Sequence, residues 1–566
     1  MIAGFASLII TLGIIVLVIR RIAVGRRGGV DFADEVKDFF QYLLLLILIL
    51  IVNSGLSGLI GYVSDSGKRL IANEDLLARD SAFVVVATPL LVAVAFWTHR
   101  TLERDEQSRE SFALLLYLAL IQVIAFANFA TSAYRWILEI ADGGSIITND
   151  SGSAIIWLST LFFHYGMSKN RLSESRIQLP FLLLSGISLV VGIFGIARII
   201  RGLMVEFLPF AETIVSTSAG DEITRGLILC LIAIPTWYSY WIIDQARTST
   251  SQLWNIYLLI VGVGASLVAV ITSISIAFYD TLVWFFGDAN TNASWIHFDR
   301  IPGATGALIA TILAFSYHSR ILGQHHDSEE GEIGRIYRYL LSAIGLGTSA
   351  IGGVTLVVSL IESFIKDDLL VGRSPRNALL LAITLLLAGL PLWQLTWKRI
   401  NDRIASDRSV ELNSIARKVY LFTVVGVSAI AAVVSMLTIT VQIFQGLFGG
   451  DIGGGTVREI SYAISIFAVG MIGGLTHLRI IQKERAESRP RTRSHKSLLL
   501  IGPADRSLAR ELERSTGARV EIVESLDGFD TTWDREKVLA LLRENQKPEL
   551  ALIAESGEIK AIPIKR

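Results

Sequence analysis

The sequence has little of what most kinds of active site require. It holds one cysteine, Cys230, which excludes an internal disulfide and any cysteine-rich metal or iron-sulfur centre. Zinc-protease, serine-hydrolase, nucleotide-loop and haem-attachment motifs do not occur. Lys plus Arg and Asp plus Glu number 51 each, so net charge provides no attraction to nucleic acid. The sequence therefore favours neither a conventional enzyme nor a nucleic-acid-binding protein.

Charge is also scarce relative to apolar surface. Charged residues make up 18% of the 566 residues and hydrophobic residues 52%, with a mean hydropathy of +0.55. A soluble chain has about 25% charged residues. The composition therefore indicates a polytopic membrane protein whose first partner is the lipid bilayer.

Thirteen apolar stretches approach or exceed the length of about 20 helical residues that crosses a bilayer. The first, residues 2–19, precedes a run of arginines, whereas a signal peptide carries its positive charge before the apolar run. We expect it to be a retained helix. The others lie near residues 38–62, 82–98, 112–138, 153–168, 180–205, 226–243, 253–282, 303–319, 338–365, 377–396, 419–447 and 460–478. The predicted fold class is an all-α polytopic membrane bundle.

The distribution of basic residues predicts the orientation. Outside the C-terminal tail, Lys and Arg concentrate in the segments that follow odd-numbered spans. The positive-inside rule places those segments in the cytoplasm. We therefore expect a bacterial cytoplasmic (inner) membrane protein with its N-terminus outside and its C-terminus cytoplasmic.

Two markers recur along the membrane region. Twelve spans fall into three groups of four, residues 36–171, 180–320 and 334–480. The second helix of each group carries a proline, at spacings of 146 and 156 residues: Pro89, Pro235 and Pro391. The fourth helix of each group ends in a histidine near a basic residue, at spacings of 154 and 159 residues: His164, His318 and His477. Two markers with one period predict three parallel repeats, each built from helical hairpins.

Two phrases of the third group carry a resemblance to a known family. They are the opening Tyr339-Leu340-Leu341, followed by a glycine-bearing helix, and the helix end from Pro391-Leu392-Trp393 to Trp397-Lys398-Arg399. This pattern resembles uncharacterised bacterial multi-spanning membrane proteins that share a domain of unknown function with four helices per copy. The resemblance covers about residues 36–480 and implies no activity. The second group departs from it, because Trp241 and Asp244 stand where a basic helix end is expected.

The C-terminal region has a different composition. A basic linker at residues 483–496 precedes a segment, 497–566, in which strands alternate with helices and a hairpin follows. This order predicts a small cytoplasmic α/β domain. Gly502-Pro503 occupies the place of a phosphate-binding turn but lacks the glycine pattern and the lysine of nucleotide loops, so we interpret it as an ordinary turn. A domain of this size favours docking or regulation through a cytoplasmic partner.

The best candidate binding residues are ionisable or aromatic groups near predicted cytoplasmic helix ends. They are His99, His164, His318 and His477, with Trp97, Trp241 and Trp397 and the prolines Pro89, Pro235 and Pro391. Imidazole can bind a proton, a metal or a tetrapyrrole, so the identity of any cofactor stays open. The favoured interpretation is that the histidines anchor helix ends at the interface. The prolines can break helices in mid-membrane and free carbonyls for a ligand.

Two functions compete. Internal repeats and mid-membrane prolines favour a permease-like protein for a small solute. The scarcity of buried charge favours a non-catalytic scaffold or accessory subunit that contacts a membrane protein or a second copy of itself. The sequence favours the permease slightly.

Overall fold

The structure is a computed structural model in which most of the chain is helical. It describes residues 32–64, 74–104, 109–207, 218–244, 251–325 except 290 and 292, 331–364, 374–406, 408–449, 454–488, 495–523, 532–555 except 546, and 558–564. The chain divides into two compact units. One comprises Met1–Ala405 with Ile452–Ser465, and the other comprises Ser406–Asp451 with Ile466–Arg566.

Four long helices form the first group. They are α1 (Phe32–Ser64), α2 (Glu74–Arg104), α3 (Phe112–Ala141) and α4 (Asn149–Arg171). Helix α1 contacts the other three, and α3 packs along α4. A capping box starts α4: the Thr148 hydroxyl accepts from the Ser151 amide at 3.2 Å, and the Ser151 hydroxyl accepts from the Thr148 amide at 3.0 Å. This cap sets the register of the helix that carries His164.

The second group has the same order of helices but contains two π-helical segments. Its elements are α5 (Glu174–Phe207), α6 (Ala219–Trp237) with π1 (Tyr238–Ile243), α7 (Gln252–Tyr257) with π2 (Leu258–Ala265) and α8 (Ser266–Phe286), the short α9 (Ser294–His297), and α10 (Ile301–His325). Helix α5 packs against α6 and α10. The segments α7, π2 and α8 follow one another without a break and form a single span. The π turns therefore lie inside two of the four helices of this group.

The remaining long helices belong to both units. They are α11 (Glu332–Glu362) and α12 (Pro375–Ser406) in the first unit, α13 (Arg408–Asn413) and α14 (Ile415–Gly449) in the second, and α15 (Gly454–Ser488), which begins in the first unit and continues in the second. Part of α15 lies against α14, because a Cβ added to Gly474 would lie 2.8 Å from Cβ of Ser428. Small residues permit this approach, as they do between helices in lipid.

Glycines also bring the first two helices of each group together. A Cβ added to Gly55 of α1 would lie 2.9 Å from Cβ of Phe83 in α2. A Cβ on Gly195 of α5 would lie 2.9 Å from the carbonyl oxygen of Gly226 in α6, and one on Gly345 of α11 would lie 2.6 Å from the amide nitrogen of Trp393 in α12. Any side chain at these positions would push the helices apart. Close glycine contacts are therefore a common feature of the three hairpins.

The C-terminal region folds as the predicted α/β domain. Its elements are β1 (Ser497–Ile501), α16 (Arg506–Thr516), β2 (Arg519–Val523), α17 (Arg535–Glu544), β3 (Glu549–Glu555) and β4 (Glu558–Pro563). The sheet order is β2-β1-β3-β4, with β1 parallel to both neighbours and β4 antiparallel to β3. Leu498, Leu500, Leu550 and Leu552 from the two central strands pack in one core with the helices. The domain has its own hydrophobic core.

The helical membrane class is confirmed, whereas the number of thirteen spans is not. The described part of the chain contains 11 helices that are long and apolar enough to cross a membrane. The predicted span at residues 2–19 lies outside the described residues. The predicted span at 153–168 is helical as part of α4, but α4 is not among the 11 because polar residues such as Ser159, Thr160 and His164 dilute its apolar surface. The protein is an integral membrane protein whose apolar helices contact lipid.

A polar contact joins the first and second groups. Lys169 Nζ of α4 lies 2.8 Å from Asp244 Oδ1 at the end of π1, and the Tyr165 hydroxyl donates to Asp244 Oδ2 at 2.6 Å. Deeper in the same interface, the Tyr240 hydroxyl donates to Gln122 Oε1 at 2.9 Å. Asp244 is the residue that departs from the basic pattern expected at this helix end. The structure explains the departure, because Asp244 provides the negative partner of the lysine in the neighbouring group.

We predict that the Asp244→Lys variant loses about 1.5 to 3 kcal/mol of unfolding free energy, the usual contribution of hydrogen bonds to a charged group. Adding Lys169→Asp should restore part of this loss. The matched control is Arg376→Glu, which breaks an exposed ion pair with Asp288 and should cost about 0 to 1 kcal/mol. Because Cys230 is the single cysteine and is buried, its labelling by a thiol-reactive dye during heating in detergent measures unfolding. An equal loss in the Asp244 and Arg376 variants would contradict the proposed importance of the interface.

Candidate functional site

The three histidines of the fourth helices share one backbone contact. Nδ1 of His164 lies 2.7 Å from the carbonyl oxygen of Thr160, one helical turn earlier. Nδ1 of His318 makes the same contact with Ala314 at 2.7 Å, and Nδ1 of His477 with Gly473 at 2.8 Å. A carbonyl oxygen only accepts hydrogen bonds, so Nδ1 carries the proton in each neutral ring. Nε2 is then an acceptor that needs a donor.

Tyrosines supply that donor in the first group and at His477. The Tyr117 hydroxyl of α3 lies 2.7 Å from Nε2 of His164, and the Tyr420 hydroxyl of α14 lies 3.4 Å from Nε2 of His477. Both imidazoles are buried, with exposed fractions of 3% and 1%. Each pair joins the third helix of a group to the fourth. Hydrogen bonding of both nitrogens makes burial of the polar ring tolerable.

His318 differs from the other two. It is fully buried, and among the described residues its Nε2 has no hydrogen-bond partner. Tyr257 corresponds in position to the two tyrosines, and its ring centroid lies 5.9 Å from that of His318, but its hydroxyl does not donate to the imidazole. Trp241 lies against the other side of the ring, with centroids 5.7 Å apart. The second group therefore retains the histidine and the tyrosine but not the bond between them.

The burial of these rings contradicts the interpretation that all four histidines are interface anchors. An anchor contacts headgroups and water, which requires an exposed side chain. His164, His318 and His477 are enclosed by protein, and only His99 is exposed. His99 donates from Nε2 to Glu103 at 3.1 Å, and its Nδ1 lies 3.3 Å from Arg171 Nη2. The candidates thus divide into three internal residues and one exposed residue at a helix end.

A cavity of about 930 Å³ lies beside His164. All four helices of the first group line it. Most of its walls are apolar: Leu45, Ile49, Leu91, Ala95, Leu102, Phe162, Phe163 and Met167. Polar atoms come from the Tyr117–His164 pair and from the other polar side chains that line it: Asn53, Thr98, His99, Ser159, Thr160, Asn170 and Arg171. The cavity therefore combines a large apolar surface with several hydrogen-bonding groups.

Buried polar pairs hold the walls of this cavity in place. Asn53 of α1 donates to the Thr160 hydroxyl of α4 at 2.9 Å. Gln41 of α1 donates to the Thr98 hydroxyl of α2, also at 2.9 Å. The mouth of the cavity is formed partly by exposed Phe162 and Phe163. The interior is therefore fixed by hydrogen bonds while one side stays open.

A smaller cavity of about 260 Å³ lies beside His318 in the second group. It lies between α5, α6 and α10, the counterparts of three of the four helices that line the larger cavity. The described residues that line it include no charged side chain: Ser188, Leu189, Gly192, Ile193, Ile196, Ala233, Ile234, Trp237, Ala310, Leu313, Ala314, Tyr317 and His318. Two groups therefore each hold a cavity against the histidine of their fourth helix.

The sequence predicts that the prolines break their helices, but two of the three do not. Helices α2 and α12 continue through Pro89 and Pro391 in ordinary α conformation. Only after Pro235 does the helix change, passing into π1 three residues later. A proline removes one backbone donor and displaces the preceding turn, which long helices absorb by local adjustment. Chain breaks at Pro89 and Pro391 therefore do not form a ligand site.

The tryptophans singled out by the sequence have different environments. Trp97 is about half exposed, whereas Trp241 is fully buried and donates from Nε1 to the Tyr317 hydroxyl at 3.0 Å. Trp397 stacks with Trp393, with ring centroids 6.3 Å apart. Of these three, Trp241 is in contact with a buried histidine, His318.

In the turn after β1, a carboxylate binds two of the amides at the start of α16. Asp505 caps α16 and accepts from the backbone amides of Ser507 at 2.9 Å and Leu508 at 3.0 Å. The Ser507 hydroxyl also donates to this carboxylate, and together these bonds hold the pKa of Asp505 below its usual value. Trp533 covers the turn, donating from Nε1 to the carbonyl oxygen of Pro503 at 2.7 Å. A carboxylate therefore already occupies the place where a phosphate would bind.

The tyrosines that pair with the histidines were not identified from the sequence, although the sequence contains a signal for them. Tyr117, Tyr257 and Tyr420 are each the sixth residue of the helix that begins at Phe112, Gln252 or Ile415. A comparison of helix starts, rather than helix ends, would have found them. In the described residues, no group of three or more His, Cys, Asp or Glu side chains has the arrangement of a metal site.

The family model described as "Domain of unknown function (DUF5671)" matches the chain in two segments, residues 38–150 and 335–499. The first segment covers α1 to α3, and the second covers α11 to α15. No curated protein and no solved structure matches the chain. The suspected relationship to an uncharacterised family is confirmed.

We predict that Tyr117→Phe lowers the unfolding free energy by about 1 to 3 kcal/mol, because it leaves Nε2 of the buried His164 without a donor. Tyr257→Phe is the matched control and should cost clearly less, because that hydroxyl makes no bond to His318. Thermal unfolding in detergent, followed through the thiol of Cys230, measures both. Equal losses would show that the Tyr117–His164 bond contributes nothing specific.

Proposed function

We propose that the chain, two segments of which match a family model for a domain of unknown function, is a permease-like membrane protein that binds a small solute within its first four-helix group. The observation that carries the proposal is the cavity of about 930 Å³ beside the Tyr117–His164 pair. Binding sites for small molecules have volumes of about 300 to 1,000 Å³ and combine apolar walls with a few placed polar groups. This cavity has both properties.

The walls define the kind of solute that we propose. Apolar side chains cover most of the surface, so the solute has a mainly apolar body. The Tyr117 hydroxyl donates to His164 and keeps an oxygen lone pair that can accept a hydrogen bond from a ligand. Arg171 and His99 line the same cavity, and the Arg171 guanidinium adds donors there. A small, mainly apolar molecule with a polar group at one end fits this distribution.

The positions of the buried carboxylates also support binding within a single four-helix group. Coupled transporters usually place acidic groups along the solute path. The buried carboxylates of the first two groups instead lie near helix ends beside arginines: Asp80 with Arg79, Glu222 with Arg198 and Arg201, and Asp280 with Arg300. These pairs fasten helix ends and are not part of the cavity at His164. We therefore propose passage driven by the solute gradient, without coupling to an ion.

We further propose that the cavity at His164 opens toward the cytoplasmic side of a bacterial inner membrane. The support is the concentration of Lys and Arg after odd-numbered spans. In this orientation α4 ends in the cytoplasm, with His164, Lys169 and Arg171 in its last two turns. The C-terminal α/β domain then lies on the same side, where it can bind a cytoplasmic partner.

A scaffold or accessory subunit is the second candidate. One observation favours it: only 6% of the most apolar window of α14 is buried, the smallest share among the 11 candidate spans. Large side chains such as Ile430, Val434 and Leu437 are exposed along this helix. Such a surface suits either lipid or the apolar face of another membrane protein.

Cysteine labelling distinguishes the two candidates. In a Cys230→Ala background, Gly166→Cys places a thiol in the wall of the cavity, and a Cβ at Gly166 meets no atom within 4 Å. Gly347→Cys is the matched control, since Gly347 has the same free space on an exposed face of α11 in mid-span. We expect a charged, membrane-impermeant thiol reagent to label Gly166→Cys from the cytoplasmic side and not Gly347→Cys, because thiolates form in water and not in lipid.

Absence of labelling at Gly166→Cys from either side of the membrane would contradict a solute-accessible cavity and would favour the scaffold. Labelling only from the external side would retain the cavity but reverse the proposed orientation. Both results are obtained by treating right-side-out and inverted vesicles in parallel.

A further inference from the structure

The cavity beside His318 contains a buried acceptor and a buried donor that are both unused. Nδ1 of His318 is committed to the carbonyl of Ala314, so Nε2 presents a lone pair. Among the described residues this nitrogen has no hydrogen-bond partner, and the indole Nε1 of Trp237 makes no hydrogen bond of normal geometry, although the Tyr257 side chain lies near it. Both side chains line the same cavity of about 260 Å³, with ring centroids 6.5 Å apart. Buried groups of this kind normally have a partner, whether protein, water or ligand.

The backbone around this cavity departs from α-helical geometry beside His318. The described residues contain two π-helical segments, and both adjoin His318. Trp241 lies in π1 with its ring 5.7 Å from the imidazole, and Gly262 lies in π2 so close that an added Cβ would meet Cβ of His318 at 2.7 Å. Single π turns within α-helices occur frequently at functional sites. They widen the helices here while bringing the backbone against the histidine.

Comparison with the first group shows that the second group lacks a hydrogen bond to the histidine Nε2. There, a tyrosine hydroxyl donates to the histidine Nε2 at 2.7 Å. In the second group the corresponding Tyr257 does not supply that bond, and the imidazole of His318 lines a cavity. An external hydroxyl group would restore the bond to Nε2 and could accept from Trp237. A hydroxyl is the simplest group that both donates and accepts.

We propose that the cavity beside His318 binds a small, uncharged, mainly apolar molecule that carries one hydroxyl group. The hydroxyl donates to Nε2 of His318 and accepts from Nε1 of Trp237. No charged side chain lines the described cavity, so an ion would lose its hydration without compensation. A volume of about 260 Å³ accommodates a molecule the size of phenol, smaller than the solute proposed for the first group. The two sites are independent of each other.

Phenol and its methyl ether, anisole, are suitable probes, since they have similar shape and only phenol donates a hydrogen bond. Binding is measured by calorimetry on the full-length protein in detergent. We expect phenol to bind the unmodified protein about five to ten times more tightly than anisole, the effect of one hydrogen bond. Equal affinities would overturn the proposal, and so would absence of binding by both, which would mean that water alone fills the cavity.

Variants then locate the site. His318→Phe keeps an aromatic ring and removes the acceptor, and Trp237→Phe removes the donor; each should reduce the preference for phenol over anisole. His477→Phe removes the equivalent imidazole in the third group and is the matched control, which should leave this preference unchanged. Protection of Cys230 from thiol reagents verifies that each variant is folded. Loss of the preference in a His164→Phe variant, with retention in His318→Phe, would place phenol in the cavity of the first group and refute the assignment.

Discussion

A buried imidazole must satisfy two different nitrogens, and this constraint organises the membrane part of the protein. At His164, His318 and His477 the carbonyl one turn earlier takes the Nδ1 proton and so fixes both the tautomer and the ring orientation. Nε2 then points away from its own helix and requires a donor from elsewhere. Where a tyrosine of the third helix provides it, the pair ties two helices together. Where none does, the nitrogen is available to a ligand.

Contacts between groups follow a second constraint, the high cost of unpaired charge away from water. Asp244 lies at the end of a helix whose counterparts end in basic residues, and it bonds to Lys169 and Tyr165 of the first group. The adjacent π1 segment also carries Tyr240, which donates to the buried Gln122. One short segment therefore contributes to the interface with the first group through Tyr240 and Asp244, and to the surroundings of His318 through Trp241. This shared use explains why the second group differs in sequence at this helix end.

Sequence patterns predicted the parts of the structure that depend on composition and order. Apolar runs predicted the helical membrane class, and alternating strands and helices predicted the α/β domain with its hairpin of β3 and β4. Recurring residues predicted that His164, His318 and His477 occupy similar places, and the structure gives all three the same Nδ1 contact. Three parallel repeats remain a prediction that this shared geometry supports, and the family match adds support at the first and third groups.

Other features depend on packing that no single segment encodes. The interpretation of the histidines as anchors was wrong because proximity to a helix end does not reveal whether a neighbouring helix covers the ring. The prediction of helix breaks at Pro89 and Pro391 was wrong because a long helix tolerates the loss of one backbone hydrogen-bond donor. The π segments beside His318 leave no mark in apolar periodicity, since Leu258–Ala265 is apolar on every side. The cavity at His164 arises only when four helices meet.

The tautomers of the three histidines test the central claim most directly. Solid-state nitrogen NMR of the protein in bilayers, with histidine labelled and assigned through single-residue variants, reports which ring nitrogen carries the proton. The structure predicts the Nδ1-protonated form at His164, His318 and His477, with a hydrogen-bonded Nε2 at His164 and a free Nε2 at His318 in the absence of ligand. Protonation at Nε2 instead of Nδ1 at these positions would contradict the account.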